Sequence, residues 1–209
     1  MEISEYGSKD APVVLLQPVD GHDLAFIGDE ISLIRERVSA DFRLAAFSVP
    51  DWNSCLTPWA APAVFGKEGF GGRAEDTLKE ILSYCEDRTK AYYIGGYSLA
   101  GLFALWAAYR TDLFRGVAAA SPSVWFPGFP EFMQEHRIQT GRVYLSLGDR
   151  EEKTRNPVMA KVGENIRTAY SILANQGVDC LLEWNEGNHF RDAALRTAKA
   201  FSWVLQRQP

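Results

Sequence analysis

Histidine and cysteine are both scarce in this chain, three of each in 209 residues, and the shortages narrow its chemistry. Cys55, Cys85 and Cys180 are odd in number and far apart, which fits neither a disulfide framework nor a zinc site. Reduced, partly buried thiols in a cytoplasmic protein are the simplest reading. Basic residues are outnumbered, 22 Lys and Arg against 27 Asp and Glu, and a net charge of −5 gives no electrostatic case for nucleic acid. The run Met1-Glu2-Ile3-Ser4-Glu5-Tyr6 is acidic and lacks the apolar segment of a secretory signal. No nucleotide-binding loop and no metal-ligand spacing occurs, so neither metal nor cofactor is expected. No repeat, low-complexity tract or linker breaks the chain, and residues 1–209 are expected to form one domain without a large lid.

Charge is missing altogether between Lys90 and Arg110. That length crosses a bilayer. However, Gly95, Gly96 and Gly101 interrupt it, and its tyrosines cluster in the first half rather than at both ends. A buried strand followed by a helix buried on all sides explains the same hydrophobicity, and no membrane partner is expected.

The stretch Tyr92-Tyr93-Ile94-Gly95-Gly96-Tyr97-Ser98-Leu99-Ala100-Gly101-Leu102 is the most informative one. It reads as a strand, a tight turn with a serine at its tip, and a helix, which is the form of a nucleophile elbow. The turn strains the serine backbone and lifts its hydroxyl above the sheet edge. Small residues are needed two positions to either side, where strand and helix nearly touch. Gly96 fills the first position, and Ala100 the second, where glycine is commoner.

Strands and helices alternate around this elbow. Val13–Leu16, Phe42–Val49, the elbow strand, Gly116–Ala120, Arg142–Leu147 and Cys180–Trp184 read as six strands. Ile27, Ile31, Ile34 and Val38 recur at helical spacing, as do Leu78, Ile81, Leu82 and Cys85. Val158 through Leu173 and Phe190 through Leu205 mark two further helices. Asp51–Gly72, rich in Pro, Gly and Trp, reads as a long loop. This alternation predicts an α/β fold, a mostly parallel doubly wound sheet flanked by helices. Ligands in such sheets bind at the carboxyl ends of the strands.

A serine hydroxyl is a poor nucleophile until a base takes its proton. On this type of fold the triad runs Ser, acid, His along the chain. His22 and His136 have the wrong order for an acid that follows Ser98. His189, just past the last strand, has the right one. The acid belongs just past the Arg142–Leu147 strand, where Asp149, Glu151 and Glu152 are all available. Spacing does not choose among them, and the two left over are expected in solvent or paired with Arg150, Lys153 or Arg155. The oxyanion hole needs two backbone N–H groups. Leu99 follows the nucleophile and supplies one. The other belongs to the loop after the first strand, where Pro18 has no N–H, which leaves Val19 first and Asp20 second.

These residues resemble the esterase D-like, siderophore-ester and feruloyl esterase branch of the α/β-hydrolase superfamily. The matching motifs are Gly96-Tyr97-Ser98-Leu99-Ala100-Gly101-Leu102, Ser121-Pro122-Ser123-Val124-Trp125, Leu147-Gly148-Asp149-Arg150-Glu151 and Gly187-Asn188-His189-Phe190, with a loop carrying Asp51-Trp52-Asn53 and Thr57-Pro58-Trp59. The resemblance implies an α/β-hydrolase fold and a serine hydrolase that cleaves carboxylic esters through an acyl-enzyme. It places the acid three residues after Gly148, at Glu151, where Asp is more usual, with Asp149 as the alternative. Gln17-Pro18 stands where the family has His-Gly.

Trp52, Trp59 and Trp125 fall in loops at the carboxyl ends of strands and are the candidate lining of an apolar pocket for a small ester. Trp184 reads better as a core residue. A thioesterase or an amide or peptide hydrolase would use the same apparatus. A hydrolase fold kept only for binding is the alternative from another class, and the retention of Ser98, His189 and the acidic cluster argues against it. Nothing in the sequence sets the oligomeric state.

Overall fold

The computed structural model describes residues 1–206. Its strands are β1 (Glu2–Tyr6), β2 (Val13–Val19), β3 (Phe42–Ser48), β4 (Ala60–Ala61), β5 (Phe70–Gly71), β6 (Ala91–Tyr97), β7 (Phe114–Ala120), β8 (Arg142–Gly148) and β9 (Asp179–Asn185). Its helices are α1 (Gly21–Arg35), α2 (Trp52–Cys55), α3 (Ala74–Tyr84), α4 (Leu99–Arg110), α5 (Phe129–Glu135), α6 (Val162–Asn175) and α7 (Ala193–Leu205). Seven strands form one sheet in the order β1-β3-β2-β6-β7-β8-β9. Every neighbouring pair in it is parallel except β1 with β3.

The apolar runs are continuous because this sheet is covered on both faces. Successive side chains of a strand point to opposite faces. Leu15 and Val19 accordingly pack with Ile27, Ile31 and Ile34 of α1 and Phe201 of α7. Val14 and Leu16 pack on the other side, with Leu78 of α3, Phe103 of α4 and Ile166 of α6. Helix α4 is buried at every position from Leu99 to Tyr109, which accounts for its lack of charge. Among the described residues no helix is long and apolar enough to cross a membrane.

Four local expectations are corrected. β1, with the sequence EISEY, is an additional edge strand, and its Glu5 pairs with Arg43 at 3.2 Å. The 51–72 segment, expected as loop throughout, carries α2 and the short β4–β5 pair. Helix α5 was not signalled by periodicity over its 7 residues. Helix α7 begins at Ala193, so Phe190 is not on its apolar stripe and stands 90% exposed.

The chain winds outward from β2 to β3 in one direction and from β6 to β9 in the other. The reversal falls between β2 and β6. A crevice forms at the carboxyl ends of strands at such a point. The 17–21 segment and the elbow serine both lie there.

Candidate active site

Ser98 sits between the end of β6 and the start of α4, with φ 58° and ψ −119°. A non-glycine residue in that region is strained and persists only where its surroundings hold it. Three backbone bonds do so. The Ser98 N–H donates to Ala120 O at 3.1 Å, and Ser98 O accepts from Leu102 N–H at 3.0 Å and Ser123 N–H at 3.1 Å. Gly96 is required next to this turn. Its φ is +157°, and a Cβ placed on it would lie 2.6 Å from the Ala100 Cβ.

The structure brings Ser98, His189 and Glu151 together from three separate loops. His189 Nε2 is 3.0 Å from Ser98 Oγ, and His189 Nδ1 is 2.6 Å from Glu151 Oε2. Of the three carboxylates after β8, only Glu151 reaches the histidine. Asp149 instead accepts the Gly187 N–H at 2.7 Å and braces the histidine loop. Glu152, expected in solvent or paired with Arg150, Lys153 or Arg155, is partly exposed and pairs with Arg167 at 3.2 Å.

Glu151 is buried, its side chain 4% exposed. Burial alone would raise its pKa. Hydrogen bonds from His189, the Gly148 N–H and the Ser121 hydroxyl outweigh that and hold it below the ordinary carboxylate value. The second oxygen, Oε1, accepts from Gly148 N–H at 2.7 Å, Ser121 Oγ at 2.8 Å and Arg196 Nη1 at 3.0 Å. Gly148 leaves no room for a side chain, since a Cβ there would lie 2.4 Å from the Gly187 carbonyl oxygen and 3.0 Å from Arg196 Nη1 and Glu151 Oε1.

Sequence reasoning missed Arg196, Tyr97, Ser121 and Ser123. Arg196 is 1% exposed, and besides Glu151 its guanidinium donates to Tyr97 Oη and to the carbonyls of Glu186 and Asn188. Tyr97 Oη donates to the His189 carbonyl at 2.7 Å. Burial pushes the Tyr97 pKa up to about 12, against hydrogen bonds from Ser121 and Arg196, so it keeps its proton for that bond. Ser123 Oγ lies 3.2 Å from Ser98 Oγ. One signal was available: Arg196 stands at helical spacing from the buried Ala200 and Val204, so it lies on the apolar stripe of α7.

Leu99 and Val19, the expected oxyanion donors, sit at the start of α4 and the end of β2. The Leu99 N–H opens α4, in the first turn, where helix N–H groups have no helical partner. Val19 is the last residue of β2 and pairs with β3. Its carbonyl accepts from Val49 N–H at 3.0 Å, beside β3. A strand residue's N–H and C=O point to the same side, so the Val19 N–H also faces β3, away from Ser98. Across a trans peptide the next N–H points the opposite way, which turns Asp20 toward β6. The Asp20 N–H is held by Asp23 Oδ2 at 3.3 Å within the capping box of α1.

Trp125 lines a cavity of about 230 Å³ together with Ser121, Glu151, Met159 and His189. Trp59 and Trp52 do not line it. Trp59 is tied to the Pro127 carbonyl through Nε1 at 2.9 Å and packs on Phe126 and Phe132. Trp52 packs against the core from α2. Trp184, expected in the core, is 39% exposed beneath the Arg167 guanidinium.

Solved structures share this arrangement of elements. The siderophore hydrolase EstA from Aspergillus nidulans matches over 97% of this chain and 93% of its own, with 19% identity and a TM-score of 0.69. An IroE-like serine hydrolase from Shewanella oneidensis matches over 96% of this chain and 74% of its own, with 15% identity and a TM-score of 0.76. The enterobactin esterase FES from Shigella flexneri matches over 97% of this chain, which spans only 54% of that protein, with 14% identity and a TM-score of 0.64. No protein-family model and no curated protein matches the sequence. The chain therefore has the α/β-hydrolase fold, in common with these esterases.

Proposed function

We propose that this protein is a serine hydrolase of carboxylic esters, with Ser98 as nucleophile, His189 as general base and Glu151 as its orienting acid. The observation that carries the reading is the unbroken line from Ser98 Oγ through His189 to Glu151, at 3.0 Å and 2.6 Å. Ser98 Oγ attacks the acyl carbon as its proton passes to His189 Nε2. The carbonyl oxygen becomes an oxyanion at the N-terminus of α4, where the Leu99 N–H and the helix dipole favour negative charge. The Asp20 N–H is the second donor once substrate draws it from the Asp23 carboxylate. The C–O bond then breaks, and His189 hands its proton to the departing alcohol. Water, deprotonated by the same histidine, attacks the acyl-enzyme, and the products are an acid and the free Ser98.

Glu151 keeps the His189 Nδ1–H fixed and balances the imidazolium formed at each proton transfer. The names of the structural neighbours, which include siderophore and enterobactin esterases, agree with ester hydrolysis. The free thiols Cys55, Cys85 and Cys180 suit a reducing compartment such as the cytoplasm. Labelling with a fluorophosphonate probe and turnover of a generic acyl ester test the proposal. Both are expected in the wild type and lost in Ser98→Ala. Wild-type turnover in that variant would overturn it.

A further inference from the structure

A second cavity, of about 380 Å³, opens between α1 and the segment that leads into α7. It adjoins the triad, because Tyr97 and Phe190 line it, one residue before Ser98 and one after His189. Asp23, Glu30 and Asp192 supply three carboxyl groups to its wall, and no lysine or arginine lines it. Asp192 pairs with Arg191 at 3.4 Å, so the carboxyl groups of this wall without a cationic side-chain partner are Asp23 and Glu30. His22 is the one other titratable group on α1 that faces the space.

Glu30 is 4% exposed, and its one hydrogen bond is from Gln17 Nε2 to Oε2 at a long 3.3 Å. Its other oxygen, Oε1, has no partner, and neither has Gln17 Oε1. Buried acceptors without donors are rare and costly in folded proteins. Glu30 lines the cavity and Gln17 lies behind it, so an unpaired carboxyl oxygen on a wall that also carries Asp23 suits a group with several donors and a positive charge. Phe26, Tyr97 and Phe190 add aromatic rings, which attract cations.

We propose that this cavity is a substrate subsite for a primary ammonium group, held by Glu30 and Asp23 among the aromatic rings. The inference rests on the esterase reading for the substrate's reacting end. It names the class of ester as one whose acyl or alcohol chain ends in an amine. Burial, with the nearby Asp23 charge, pushes the Glu30 pKa up to about 8, against the Gln17 hydrogen bond. Burial and the Asp20 charge push Asp23 up to about 6. An ammonium in the cavity favours the ionised form of both.

Two matched pairs of esters test this. Ethyl ε-aminocaproate is compared with ethyl heptanoate, and aminohexyl acetate with heptyl acetate, in wild type, Glu30→Gln and Asp23→Asn. The expected result is a kcat/KM preference for the amine member of at least one pair, on the order of tenfold, which falls toward unity in both variants. A folding defect lowers both members of a pair alike and leaves the ratio intact. Calorimetric titration of Ser98→Ala with hexylamine and with hexanol reads the cavity without catalysis. Saturable hexylamine binding, weakened about tenfold by adding Glu30→Gln, supports the subsite. If the wild type takes the fluorophosphonate label but prefers neither amine, the subsite is overturned and the esterase reading stands. If it takes no label, the esterase reading falls, and the titration decides the cavity: absence of saturable hexylamine binding overturns it.

Discussion

Arg196 Nη1 lies 3.0 Å from Oε1 of Glu151, the carboxylate oxygen that His189 does not use. Both side chains are almost fully buried, at 1% and 4% exposure. The arginine also holds the carbonyls of Glu186 and Asn188, on the loop that delivers His189. One buried cation therefore ties Glu151 to the loop that carries His189.

Arg196→Met should destabilise the fold strongly. Removing one partner of a buried ion pair leaves the other charge uncompensated, at a cost of about 3–5 kcal/mol. Chemical denaturation measures this directly. Arg196→Lys keeps the charge but loses the planar fork and should recover stability only in part. Unchanged stability in both variants would show that the pair carries no net weight.

The amide variants of the three carboxylates after β8 should separate cleanly. Glu151→Gln should lower kcat on the order of a thousandfold or more, because the amide no longer fixes the histidine tautomer or balances its charge. Asp149→Asn keeps an acceptor for the Gly187 N–H, and Glu152→Gln loses only a partly exposed pair with Arg167, so both should stay within about tenfold of wild type. Steady-state kinetics on one acyl ester ranks the three. A larger loss in Asp149→Asn than in Glu151→Gln would contradict the assignment.

His189→Ala should cut turnover by several orders of magnitude, as removing the base of a triad does. Added imidazole should restore part of the rate by entering the vacated space. A variant with wild-type turnover would point to another base.

The buried Glu30 predicts a pH dependence of stability. Its native pKa of about 8 lies above the unfolded value of about 4.3, so between these the folded chain binds more protons than the unfolded one. Stability contributed by this carboxyl therefore falls as pH rises through that window. Asp23, at about 6, acts in the same direction. Glu30→Gln should flatten the decline in Tm between the two pKa values and raise Tm most at the alkaline end. A pH–Tm curve parallel to wild type would count against the buried ionisable group.

Local patterns exposed much of the fold and part of the site. Continuous apolar runs such as Val13–Leu16 and the helical spacing of residues such as Ile27, Ile31 and Ile34 reveal which segments are strands or helices and that the sheet is covered on both faces. The elbow is equally local: a small residue on each side of Ser98 is a steric requirement met within a few positions. Chain order singled out His189 from three histidines because a triad on this fold tolerates only one order. What lies between distant segments was not legible. Glu151, Asp149 and Glu152 are equivalent as a string, and the choice among them follows from a short 3-10 turn that buries Glu151 under Gly148 and points its oxygens at His189 and Arg196. The direction of the Val19 N–H depends on which neighbour strand it faces, a property of sheet order. The acidic cavity arises because α1 and α7, some 160 residues apart, pack side by side on one face. Sequence alone determined the six parallel strands, the longer helices and the elbow, since those rest on neighbours along the chain. The tertiary structure decided which carboxylate meets His189, the buried arginine and the cavities, since those rest on groups that only folding brings within reach of one another.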